Sequence, residues 1–99
     1  MSYSFSARAT RPEDVMFEMV GEEAVVLKLK TQLYMGLDAV GARMWNLVTS
    51  AASIQQAYDQ LLDEYEVEAN QLRRDLQEFL GELEQKGLIE IRSASQSVP

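Results

Sequence analysis

Apolar and polar positions alternate in twos over the first third of the chain and recur at helical spacing thereafter, so strands are expected first and helices after them. Val15, Phe17 and Met19 alternate with Met16 and Glu18, which predicts a first strand, and Gly21-Glu22-Glu23 supplies a turn. Residues 24–30 predict a second strand, with Val25, Leu27 and Leu29 on one face and Val26, Lys28 and Lys30 on a wet outer face. Thr31-Gln32 leaves two residues for the return, so residues 33–37 are expected to fold back as a hairpin partner. No Asn-Gly or Asp-Gly marks that return, and its turn type stays open.

The period changes at Asp38, whose carboxylate can accept from the free N–H groups of a first helical turn. Val40, Met44, Trp45 and Val48 follow at helical spacing. Ser53-Ile54-Gln55-Gln56 fits a capping box, and Ile54, Ala57, Leu61, Leu62 and Tyr65 supply the buried side of a second helix. Glu66-Val67-Glu68 breaks the pattern. A third helix then carries Leu72, Leu76, Phe79, Leu80 and Leu83 as a full apolar stripe, closed by Lys86 and Gly87. Residues 88–91 read as a brief extended segment. The order βββααα predicts an α+β fold, like a winged helix-turn-helix written strands first: a three-stranded antiparallel sheet followed by three helices around one core. Residues 1–12 are expected as a flexible N-terminal arm, 13–92 as the domain, and 93–99 as a flexible polar tail.

A meander order leaves the far edge of the third strand without a partner, which is where another chain can add itself. On this reading an extended peptide would pair with residues 33–37, with the third helix as the opposite wall of a groove. The candidate peptide-binding residues are Leu33, Tyr34, Met35, Gly36 and Leu37 on the strand. On the helix they are Arg73, Arg74, Leu76, Gln77 and Leu80, with Phe79 beside them. The arginines would anchor peptide carboxylates, and Met35 suits varied partners.

Composition narrows the alternatives. The 99 residues carry a net charge of −7 and no Cys or His, which removes thiolate metal sites, the commonest metal ligand and the commonest general base. No apolar run approaches the ~20 residues of a membrane span, and the N-terminus lacks a signal-peptide pattern. A cytoplasmic protein without cofactor or metal is expected. Acid pairs such as Asp63 and Glu64, or Glu78 and Glu82, sit on highly charged helix faces, and no nucleophile is paired with an activator. Catalysis is not expected. A small winged-helix DNA-binding regulator is the alternative, but the third helix sets Asp75, Glu78, Glu82 and Glu84 against Arg73 and Arg74, which opposes phosphate contact.

Three stretches resemble the PqqD-like family: Leu33-Tyr34-Met35-Gly36-Leu37-Asp38-x-Val40-Gly41-Ala42-Arg43-x-Trp45; Ile54…Ala57-Tyr58…Leu61-Leu62…Tyr65-x-Val67; and Asp75-Leu76…Phe79-Leu80…Leu83…Gly87-Leu88. The resemblance covers residues 15–91. It implies a non-catalytic recognition element that binds the leader of a ribosomally synthesised precursor peptide as an added strand beside the third strand, against the third helix. It also implies a partner enzyme to which the peptide is presented: a radical SAM enzyme, a cyclase or a leader protease. The Tyr-x-Gly-Leu-Asp-x-Val-Gly form resembles stand-alone, lasso-type members more than the quinone-pathway protein. A homodimer using the same strand edge is a further expectation to test.

Overall fold

Asp38 divides the molecule as its side chain suggests: strands precede it and helices follow. The computed structural model describes residues 4–92. Its elements are β1 (Arg8–Thr10), β2 (Val15–Val20), β3 (Glu23–Lys28), β4 (Tyr34–Leu37), α1 (Ala39–Ser50), α2 (Ile54–Glu64), α3 (Ala69–Gln85) and β5 (Glu90–Arg92). An antiparallel meander β2-β3-β4 forms one sheet, and β1 pairs with β5 in a second, two-stranded one. The architecture is α+β: a three-stranded antiparallel sheet, a two-stranded one and three helices about one core.

The meander turns differ in kind. Between β2 and β3, Gly21 takes φ +68°, which glycine adopts at no steric cost. The expected two-residue return at Thr31-Gln32 is a longer loop instead. Lys28 N–H donates to Leu33 C=O at 2.9 Å, Gln32 N–H donates to Lys28 C=O at 2.7 Å, and Gln32 sits at φ +61°.

The faces of β3 are the reverse of the expectation. Ala24 and Val26 are buried, whereas Val25 and Leu29 are exposed. The inner row also includes Lys28, whose alkyl stem lies against Gly87 and whose ammonium reaches Asp14 at 3.2 Å. A lysine can line a core this way, stem inside and charge paired, so its presence does not mark a wet face. Burial pushes the Asp14 carboxyl up, but the Lys28 hydrogen bond, a backbone hydrogen bond and the nearby charges of Lys28 and Lys30 together outweigh it, leaving that group below the ordinary carboxylate range.

Each helix starts on a side-chain cap. Asp38 accepts from Gly41 N–H at 2.7 Å, and Ser53 accepts from Gln56 N–H at 3.1 Å. Glu68 accepts from Gln71 N–H at 3.2 Å. The Gln56 side chain reaches back as a capping box requires, but to Ala52 N–H, one residue before the cap. Helix α3 closes in a Schellman motif: Gly87 at φ +73° donates to Glu84 C=O, and Leu88 donates to Leu83 C=O at 2.8 Å. Trp45 stacks on Phe17 with ring centres 5.9 Å apart, locking α1 to the sheet, while Val40, expected in the buried stripe, is exposed. Arg43 of α1 holds Glu64 of α2 through Nε at 2.8 Å.

Residues 4–12 of the expected arm are not loose, and residues 1–3 lie outside the described residues. Phe5, Ala7 and Ala9 are buried, and β1 pairs Arg8 with Arg92, Ala9 with Ile91 and Thr10 with Glu90. Carbonyls of Phe5 and Ala7 accept from Gln55 and Ile54 N–H at 2.7 and 2.8 Å, satisfying free donors at the start of α2. The Phe5 ring packs edge-on to Tyr58, with the Arg73 guanidinium 4.0 Å from its centre. Small residues alternating with arginine give little strand signal, and the pairing strand lies at the other end of the chain. The expected tail at 93–99 lies outside the described residues.

Candidate functional site

Strand β4 pairs with β3 on one side, Val26 opposite Met35 and Ala24 opposite Leu37, and carries no strand on the other among the described residues. Directly opposed residues in an antiparallel pair alternate between exchanging hydrogen bonds and not exchanging them. The Lys28–Leu33 bond fixes the phase. Met35 and Leu37 therefore spend their main-chain groups on β3, and Tyr34 and Gly36 direct theirs to the open side.

Side chains follow the complementary alternation. Met35 packs against the core and Leu37 is buried, while Tyr34 and Gly36 lie on the outer face of the sheet. A Cβ added at Gly36 would meet nothing within 4 Å, so glycine there leaves open space on that face. Beside it Val20, Val25, Leu37, Glu23 and Asp38 line a hollow of about 380 Å³. The rest of the outer face is apolar to an unusual degree for a solvent-facing sheet. Met16, Leu27 and Tyr34 form one cross-strand row and Glu18, Val25 and Gly36 the next.

The α3 candidates divide. Leu76 and Leu80 are 0% exposed, so they are core residues and cannot touch an incoming peptide. Their place in the apolar stripe explains them fully. Phe79 is likewise buried. Arg73 is exposed but lies over Phe5 and Tyr58, 4.0 and 5.7 Å from the ring centres, where it holds the N-terminal segment. Arg74 and Gln77 face a shallow region of α3 shared with Glu78, Gly81 and Gln85, which includes no β4 residue. Leu33, Tyr34, Met35, Gly36 and Leu37 thus run along one open edge, while Leu76, Phe79 and Leu80 belong to the core.

Two features escaped the sequence reading. The division of labour within β4 depends on the phase of its pairing, and that is fixed by a loop whose length was misjudged. The outer-face patch was hidden by the reversed faces of β3. Among the described residues no cluster of three or more His, Cys, Asp or Glu is placed to hold a metal ion, and no helix is long and apolar enough to cross a membrane.

Comparison with known proteins bears on this edge. A solved structure of TbiB1 in complex with the TbiA(beta) leader peptide superposes with a TM-score of 0.75 and 36% sequence identity, over 82% of this chain and 94% of that one. No curated protein matches the chain. The family model for coenzyme PQQ synthesis protein D matches residues 23–89, a span running from β3 through the open strand and all three helices to Ile89. With the meander, the capped helices and the free β4 edge all inside or bordering that span, the chain belongs to the PqqD family.

Proposed function

We propose that this protein binds the leader segment of a ribosomally synthesised precursor peptide and presents the attached core to a peptide-modifying enzyme or leader protease. The observation that carries the reading is the unpaired β4 edge, where Tyr34 and Gly36 offer main-chain donors and acceptors to an added strand. The PqqD family match and the likeness to TbiB1, a protein solved with a leader peptide, support it. Binding by main-chain hydrogen bonds needs no catalytic group, and the protein acts on this reading without chemistry of its own. A role on DNA fits poorly. Arg73 is engaged with Phe5, and the exposed side of α3 presents Asp75, Glu78 and Glu82 where phosphates would approach.

Proline substitution separates the two kinds of β4 residue. Gly36→Pro removes an outward N–H and leaves the β3 ladder intact, a position where an edge strand tolerates proline. Isothermal titration with a cognate leader peptide should show affinity reduced about five- to tenfold, the net worth of roughly one hydrogen bond. Met35→Pro deletes a bond to β3 instead and should lower thermal stability. Unchanged affinity in Gly36→Pro would remove strand addition as the mode of binding.

A further inference from the structure

Leader binding at the edge leaves the outer face of the β2-β3-β4 sheet unused. A sheet packed on one side normally sets polar residues outward. Here Met16 is 49% exposed, Val20 64% and Tyr34 67%. Contiguous apolar surface of this kind on a folded protein marks a place where another protein sits.

Charge on the face selects the occupant. The ionisable side chains among the outward positions of the three strands, apart from the Tyr34 phenol, are Glu18 and Glu23, with no cation. The hollow beside Gly36 is floored by Val20 and Val25 and bordered by Glu23 and Asp38. An arginine or lysine could lay its alkyl stem on that floor and its charge by those acids. A second copy of this chain would instead bring acid against acid, on a molecule whose net charge is already −7. The face is also continuous with the leader edge, because a strand added to β4 carries its alternate side chains onto the same surface beside Tyr34 and Gly36.

We propose that this outer sheet face docks the enzyme that acts on the precursor, through an apolar patch on that enzyme rimmed by lysine or arginine. The inference rests on the leader-binding reading. A docked enzyme would touch both the sheet and the added leader strand, so leader occupancy would strengthen its attachment, and the coupling would be reciprocal.

The test uses the whole protein, a precursor whose leader it binds, and the enzyme that acts on that precursor. Val20→Ser with Met16→Ser removes apolar surface without touching the β4 edge, and Glu18→Lys reverses charge. Both variants should bind the leader within twofold of the unsubstituted protein. Each should raise the enzyme's KM for the protein–precursor complex at least tenfold, and added salt should raise KM for the unsubstituted protein. Unaltered KM in both variants would overturn the proposal, as would sedimentation showing a dimer that Val20→Ser with Met16→Ser dissolves. An unsubstituted protein that fails to bind the leader would defeat the underlying reading, and this proposal with it.

Discussion

At the scale of single residues, glycine and charge do distinct work. Gly87 combines a φ of +73° with the Lys28 side chain packed where a Cβ would stand, 3.2 Å from Lys28 Cε. Gly87→Ala should therefore destabilise the fold by about 1 kcal/mol or more, a loss of several degrees in melting temperature for a domain of this size. The lysine stem must also shift. Gly36 has neither constraint, and Gly36→Ala should leave the melting temperature within a degree or two. Two carboxylates held down in the fold, Asp14 and Glu64, contribute to acid sensitivity, and Glu64 carries the larger shift. Hydrogen bonds from Arg43 and then Gln60 hold its carboxyl down at about 2 against an ordinary 4.5. A carboxylate depressed on folding adds stability that is complete above its unfolded value and is lost as pH falls through its folded one. The α1–α2 contact should weaken from about pH 4.5 downward, and Arg43→Ala should flatten the fall in melting temperature between pH 5 and pH 2. An equally steep fall in that variant would assign the acid sensitivity to other groups.

Among elements, the informative contrast is between α3 and the N-terminal segment. The α3 stripe and its Gly87 stop are legible because their signals are local, five large apolar residues at helical spacing and a glycine past the end, whereas the Glu68 cap is not, because Glu is not a favoured cap residue. The Asp38 and Ser53 caps were legible for the same reason. Burial in that stripe was the neglected consequence, since a position cannot both fill a core and line a groove, and Leu76 and Leu80 do the former. The β3 faces were misread because Lys28 and Lys30 were weighed as solvent markers, when Lys28 is paired with Asp14 across the strand start. The β1–β5 pairing could not be read locally at all, for its two strands are joined only through the whole intervening fold. Phe5 carries the attachment of that segment. Phe5→Ala should cost about 3 kcal/mol or more in urea unfolding. Arg73→Ala should cost roughly 0.5–1 kcal/mol through the lost contact with the ring. A Phe5→Ala protein as stable as the original would mean that the segment adds nothing to the core.

For the molecule as a whole, β4 is an edge strand whose β3 side is satisfied and whose other edge carries no strand among the described residues. Open edges invite unwanted pairing unless they are short or guarded. This one is four residues long and is followed at once by a helix capped by Asp38, so it can accept one strand and little else. Its outward main-chain groups alternate, and that alternation gives the account its most direct test. Amide hydrogen exchange should be followed residue by residue, with and without a cognate leader peptide. In the free protein Met35 and Leu37 should be protected and Tyr34 and Gly36 should exchange quickly. Leader addition should slow Tyr34 and Gly36 while leaving Met35 and Leu37 as they were. A leader that binds and leaves Tyr34 and Gly36 exchanging as before would contradict the account.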